Sequence, residues 1–222
     1  MATLAQVIAE ACRLSLMRGL EEILAGAGYA RVAGVDEAGR GALAGPVVAA
    51  AVIPDPSRVV PAVDDSKCLC AAERERLAGS VRGTALAFSV AAVSPATIDR
   101  VNILEASRLA MRQALAGLRP RPDCVVIDAV ALAGLGVPSL PVVRGDQISY
   151  AVACASILAK VERDRLMVEL DRRLPQYGFA AHKGYGAPEH LLALREYGPS
   201  PVHRLTFRPV VPRIGDVREV AC

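Results

Sequence analysis

A chain of 222 residues, 53% of them hydrophobic, holds enough material for one large domain or two small ones with a sizeable core, and no stretch has linker composition. Five Tyr, three Phe and no Trp make that core aliphatic, and a net charge of +3 is too small to mark a nucleic-acid binder by itself. Charged residues within 1–30 exclude a signal peptide, no apolar run is long enough to cross a bilayer, and the six Cys form no C-x-x-C pair, so a cytoplasmic protein with reduced thiols is expected.

Thr3 is placed to cap a first helix, whose apolar positions Leu4, Val7, Ile8, Ala11, Leu14, Leu20, Ile23 and Leu24 recur at helical spacing until Gly26 and Gly28 end it. This helix is expected beside the first strand, with no chemistry of its own. Val32–Asp36 is an apolar run that reaches two adjacent acids, Asp36 and Glu37, and breaks into Gly39-Arg40-Gly41 before a second apolar run, Pro46–Ile53. That pattern predicts strand, acidic apex, glycine turn and strand. Neighbouring strand residues point to opposite faces, so both acids serve one site only if the backbone leaves extended geometry there. Two unpaired carboxylates at the edge of a core need compensation, and a hard divalent cation is the simplest. Taken alone, the same residues describe a solvated acidic hairpin.

Asp64-Asp65-Ser66-Lys67 leads into a helix over 71–78; Ser66 and Lys67 suit a phosphate, or equally an ordinary helix-entry turn. A third strand is expected over 84–93. Ser94-Pro95 then opens a helix that reaches Gly117 with a kink near Asn102. Cys124–Asp128 is a wholly apolar strand ending in an acid, the pattern of a strand buried on both faces of a partly parallel sheet, where functional groups gather at the carboxyl ends. A short strand over 140–143 precedes Arg144-Gly145-Asp146, and Ser149 is the expected cap of a long helix over 150–174 rich in small residues. Asp146 either caps that helix or turns outward to the site of Asp128. Lys160 and Asp164 stand four apart as a helical ion pair, and Asp164 is read as structural. Residues 175–185 form an irregular basic-aromatic loop, and Pro188 opens a last helix to Tyr197.

Charge is unevenly spread: 144–213 carries 11 Lys/Arg against 7 Asp/Glu, all three His and six of the aromatics, a plausible nucleic-acid face. The spacing of His182, His190 and His203 does not suit zinc, and His190 is read as a helix-face residue. Four acids, Asp36, Glu37, Asp128 and Asp146, each end an apolar strand or the turn after one. Such a set suits two-metal phosphodiester chemistry.

At this point the sequence resembles a known family, ribonuclease HII, through GVDEAGRGALAGPVVAAAVI (34–53), DDSKCL (64–69), VVIDA (125–129), RGDQISYAVACASILAKVERDR (144–165), HKGYGAPEH (182–190) and HRLTFRP (203–209). The resemblance implies an α/β fold, a ribonuclease H-like mixed sheet flanked by helices with a helical C-terminal part. It divides the chain into an N-terminal helical extension (1–29), a catalytic domain (30–210) and a tail (211–222). It implies that Asp36, Glu37, Asp128 and Asp146 hold two Mg²⁺ or Mn²⁺ ions. It also implies that the Gly39-Arg40-Gly41 backbone contacts a 2′-hydroxyl and that Tyr185 stacks on a sugar beside the ribonucleotide. Arg40, Ser66, Lys67, Lys183 and Arg204 are the expected substrate contacts.

The implied activity is hydrolysis of RNA in RNA–DNA hybrids and cutting 5′ of ribonucleotides embedded in duplex DNA, leaving 3′-hydroxyl and 5′-phosphate ends. The expected partner is that nucleic acid, with no membrane, no obligate protein partner and a monomeric chain. Two other readings compete with it. A hybrid-binding protein without catalysis is disfavoured by the four intact acids. A P-loop nucleotide enzyme is excluded because Gly39-Arg40-Gly41 lacks the Gly-Lys-Ser/Thr ending.

Overall fold

The computed structural model describes residues 3–64, 66 and 69–210. Its centre is a five-stranded mixed sheet in the order β3-β2-β1-β4-β5. The strands are β1 (Val32–Ala38), β2 (Val47–Ile53), β3 (Ala87–Val93), β4 (Cys124–Asp128) and β5 (Ser139–Val142). β1 pairs antiparallel with β2, and β2 with β3, while β1–β4 and β4–β5 are parallel. The helices are α1 (Leu4–Gly26), α2 (Ala71–Thr84), α3 (Pro95–Val101), α4 (Ile103–Gly117), α5 (Gly145–Ile148), α6 (Tyr150–Arg173), α7 (Phe179–His182) and α8 (Pro188–Tyr197). This is the expected α/β sheet with helices on both sides and a helical C-terminal part.

Alternation along β1 sorts the two cores. Ala33 and Val35 pack with Ala110, Met111 and Ala114 of α4 on one face. Gly34 faces α6, where a Cβ would lie 2.0 Å from the Ala151 carbonyl carbon. The small residues of α6 therefore do what their sequence suggests: they let a helix lie directly on the sheet.

Several boundaries differ from the sequence reading. α2 runs on to Thr84 and displaces the start of β3 to Ala87. The kink at Asn102 is a full break between α3 and α4: its φ is +70°, and its Oδ1 accepts from the N–H groups of Leu104 and Glu105, so it caps a new helix. Thr3 caps α1 through a capping box with Gln6, but Leu4, Val7, Ile8 and Ile23 of its expected buried stripe are exposed. α1 instead docks through Met17 and its half-buried neighbours, and through Glu21. The Glu21 Oε1 accepts from Ser149 Oγ at 2.5 Å and from the Ala151 N–H at 2.9 Å, at the start of α6. No helix among the described residues is long and apolar enough to span a membrane.

Candidate active site

The parallel register of β1 and β4 builds the site. Their last registered pair is Val35 with Ile127, and one residue further along each strand stand Asp36 and Asp128. β1 continues past the end of β4, in regular pairing with β2, through Glu37 and Ala38. The departure from extended geometry expected between Asp36 and Glu37 is therefore absent. Both side chains reach one cleft because β1 overruns its neighbour, which leaves Glu37 at an open sheet end rather than beneath a covered face. The cleft, of about 490 Å³, is lined by Asp36, Glu37, Asp128, the turn 38–41, Ser66, Arg74, Ser156, Lys160 and Tyr185.

Electrostatics mark these acids as strained neighbours. Burial pushes the Asp36 carboxyl well above the usual carboxylate range, and the charges of Glu37 and Asp128 push it the same way. Bonds from the Ser156 hydroxyl and the Glu37 N–H, the latter 2.7 Å from Asp36 Oδ1, hold it partly back. Glu37 is raised chiefly by burial, with Asp128 adding to the rise, while Arg40, 3.3 Å away, opposes it. Glu37 Oε2 is buried with no hydrogen-bond partner among the described residues. Asp128 Oδ1 accepts from the Gly145 N–H at 2.7 Å, which fixes the start of α5 against the end of β4.

Asp146 is the next residue, in the first turn of α5, and it is buried. It follows the Gly145 that bonds Asp128, but it is not in the wall of the cleft. Nor does it cap α6: Ser149 does, accepting from the Val152 N–H at 3.2 Å.

Hard oxygen ligands, partly or wholly buried and repelling one another at Asp36 and Glu37, with one oxygen unpartnered among the described residues, fit a divalent cation. Among the described residues no three His, Cys, Asp or Glu close into a ready-made metal cage. Mg²⁺ does not require one, since it keeps several waters and takes one or two carboxylates together with substrate phosphate.

The other expected residues divide. Ser66 is buried, with its hydroxyl 3.0 Å from that of Ser156, so it braces a residue bonded to Asp36. Lys67 lies outside the described residues. Arg40 is half-exposed at the rim. Lys183 faces an adjoining groove along α6, lined also by Arg74, Lys160, Arg165 and Arg172. Arg204 corrects the sequence reading. It is 0% exposed, and it donates through Nε to the Gly45 carbonyl (3.0 Å) and through Nη1 to that of Arg40 (2.9 Å). It is a buried brace, not a surface cation awaiting a phosphate.

Three residues with no role at the site in the sequence reading matter here. Arg74 donates to the Ser66 carbonyl at 2.8 Å and also to that of Leu69, so it shapes the cleft wall. Lys160 bonds Asp164 at 2.6 Å, as its spacing predicted, but it also faces the cleft. Arg163, 0% exposed, donates to the carbonyls of Pro46 (3.2 Å), Ala44 (3.2 Å) and Lys183 (2.9 Å), and its guanidinium stands 5.2 Å from the centre of the Tyr185 ring. Apolar patterning on α6 could have flagged Arg163, since its position falls on the buried side of the helix.

The sequence model of the family described as Ribonuclease HII matches residues 33–210, most of the chain. The chain belongs to the ribonuclease HII family. A ribonuclease HII of Ruminiclostridium cellulolyticum is 47% identical over 195 residues, 88% of this chain and 76% of that one. One of Geobacter metallireducens is 51% identical over 190 residues, 86% of this chain and 89% of that one. Among solved structures, the ribonuclease H2 of Pyrococcus horikoshii OT3 superposes with a TM-score of 0.72 at 28% identity, covering 81% of this chain and 95% of that one. Ribonuclease HII membership makes this chain an endoribonuclease of the ribonuclease H type.

Proposed function

We propose that this ribonuclease HII cuts the strand on the 5′ side of a ribonucleotide, in RNA–DNA hybrids and in duplex DNA with embedded ribonucleotides, leaving 3′-hydroxyl and 5′-phosphate ends. The carrying observation is the convergence of Asp36, Glu37 and Asp128 on one cleft, where burial and the neighbouring carboxylates raise the proton affinity of Asp36 and of Glu37. A solved ribonuclease HIII complex with Mn²⁺, like this chain in fold at a TM-score of 0.58 and 20% identity, adds a fold-level analogy. Asp36, Glu37 and Asp128 would hold two Mg²⁺ or Mn²⁺ ions, with Asp146, next to the Gly145 that bonds Asp128, acting on the second. Two divalent ions held by these carboxylates would supply an activated water and charge stabilisation at the leaving 3′ oxygen.

The chain's own groups do the selecting. Discriminating RNA from DNA at one nucleotide means sensing the 2′-hydroxyl, which both donates and accepts. The backbone of Gly39-Arg40-Gly41 lines the cleft, and a Cβ at Gly41 would meet nothing within 4 Å, so this turn is open to a sugar. Tyr185, 39% exposed at the same cleft, offers a ring face to the adjoining deoxyribose. Lys183, Lys160 and Arg74 stand where flanking phosphates would pass. The domain division follows: the catalytic unit is 30–210, with α1 an extension docked on α6 and residues 211–222 a tail outside the described structure.

The test is a DNA duplex carrying one ribonucleotide, incubated with Mg²⁺, Mn²⁺ or EDTA. Metal-dependent nicking 5′ of the ribonucleotide, absent in Asp128→Asn, supports the proposal. Binding without nicking, or equal cutting of all-DNA duplex, overturns it.

A further inference from the structure

The three histidines lie together behind Tyr185, and their hydrogen bonds determine where each proton sits. The Ser200 N–H, which can only donate, points at His203 Nδ1 from 2.9 Å, and the Ser200 hydroxyl lies 2.8 Å from the same nitrogen. Nδ1 of His203 is therefore bare, and its proton is on Nε2. That Nε2 is 2.9 Å from Nε2 of His190, so His190 accepts there and carries its own proton on Nδ1. His190 Nδ1 in turn lies 2.8 Å from the carbonyl oxygen of Tyr185. The chain of donors runs one way only: Ser200 to His203 to His190 to the Tyr185 backbone.

Its surroundings keep it neutral. His190 and His203 are buried among the rings of Tyr177 and Phe179, and His182 stacks on His190 at 4.5 Å. Burial pushes both imidazoles below the usual histidine range, His203 to about 4. His182 belongs to the same assembly: it accepts the Gly184 N–H at Nδ1 (3.2 Å), and its Nε2 meets the Tyr177 carbonyl at 2.8 Å.

We propose that His190 and His203 are positioning residues, a neutral one-directional relay that fixes the backbone of Tyr185 and so sets the seat of its ring in the cleft. The inference rests on the proposed role of Tyr185 in selecting ribonucleotide junctions. The relay grips the tyrosine from behind, while Arg163 meets the ring itself. Hydrogen bonds between side chains thirteen residues apart on α8 and the segment after it thus act on an aromatic side chain that lines the cleft.

Long-range ¹H–¹⁵N spectra of the full chain at pH 7 test the relay directly. His203 is expected to be protonated on Nε2 and His190 on Nδ1; the opposite tautomers, or imidazolium, overturn the proposal. The consequence is read on the ratio of kcat/KM for a single-ribonucleotide duplex to that for a continuous hybrid, together with the ring signal of Tyr185 in ¹³C-tyrosine-labelled protein.

His190→Leu should lower the ratio about tenfold, the effect of one lost hydrogen bond, and shift the Tyr185 signal. His190→Asn, which keeps a donor near the δ position, should restore most of both. In a Tyr185→Ala background His190→Leu should change the ratio no further. An unmoved Tyr185 signal in His190→Leu, or an undiminished effect in the Tyr185→Ala background, overturns the proposal. Should His190→Leu fail to fold, His203→Gln and the tautomer spectra decide it. A parent protein that ignores ribonucleotides would refute the functional reading, while the spectra would still judge the relay.

Discussion

Gly39→Ala puts a methyl group where the structure has no room. The added Cβ would lie 1.9 Å from Nε, 2.4 Å from Cδ and 2.8 Å from Cζ of Arg163, at a backbone φ of +94°. Arg163 cannot swing aside, because it is fully buried and bonded to three carbonyls from two segments. Losing even two bonds from a charged donor costs about 3 kcal/mol or more, and the positive φ adds about 1 kcal/mol or more. A loss of about 4 kcal/mol is a large part of the stability of an ordinary domain and should lower Tm by roughly 10 °C or more at this chain length. Gly41 is the control: a Cβ there meets nothing, and no positive φ is involved. Gly41→Ala should leave Tm within about 2 °C, the scale of a surface substitution, yet slow cutting at ribonucleotides if its backbone approaches the sugar. Thermal unfolding by circular dichroism and a nicking assay read both. A Gly39→Ala protein that melts with its parent would refute the account of Arg163 as an immovable brace.

Asp128→Asn keeps an acceptor for the Gly145 N–H but removes a charge that raises both Asp36 and Glu37. In EDTA its Tm should equal or exceed that of the parent, whereas Mg²⁺ near 100 times its dissociation constant should stabilise the parent alone, by about 2.7 kcal/mol; equal metal-induced shifts would contradict the assigned ligand set. His203 is neutral in the fold down to about pH 4 but has an ordinary value of 6.5, so between these values the unfolded chain binds the extra proton. The stability it contributes is complete above pH 6.5 and is lost as pH falls toward 4, on the order of 3 kcal/mol. Urea unfolding from pH 4.5 to 7.5 should show a shallower slope in His203→Gln, and identical slopes would count against a buried neutral His203. Glu21→Ala removes the acceptor of the Ala151 N–H and of Ser149 Oγ, and should destabilise by about 1–2 kcal/mol in the same unfolding measurement. An unchanged midpoint would mean that α1 merely rests on α6.

The acids were legible because strand chemistry is local. An apolar run ending in a carboxylate marks the carboxyl end of a buried strand, and two such strands in parallel register necessarily bring those ends together, as Asp36 and Asp128 show. Ser94, Ser149 and Thr3 were legible for the same reason, a cap being a matter of three or four residues. The braces were not. Arg204 reads as surface charge in a basic stretch, and only the approach of Gly45 and Arg40 from the far end of the chain turns it into a buried brace. The spacing of the histidines does not suit a metal, yet in the structure His190 bonds His203 and His182 stacks on His190, which spacing does not encode. α1 misled in the opposite sense: its apolar stripe is real, but the described fold covers only part of it.

The cleft joins two parts of the molecule made by different rules, and the buried arginines set how far apart they stand. One wall is the end of the sheet, fixed by strand register. The other is Tyr185, in a segment held to the body by bridges from Gly184 to Leu43 and Ala44, by Val202 to Gly45, and by Asp99 to Leu205 and Thr206. Arg163 and Arg204 lie between, each bonded to carbonyls and, among the described residues, neither to a carboxylate; burial, with the charge of Arg163 adding to it, pushes Arg204 down to about 9. Two neighbouring buried cations are a costly way to fill a core. Their acceptors, however, are the backbone carbonyls of Arg40, Ala44, Gly45, Pro46 and Lys183, which tie the turn after β1 to the segment of Tyr185. A hydrophobic pair of the same size would tolerate a slide of Tyr185 along the turn; directional bonds to fixed carbonyls do not. That demand for one spacing between the acids and the tyrosine is what an enzyme needs if it must place a single ribonucleotide, and not its neighbour, over the reacting site.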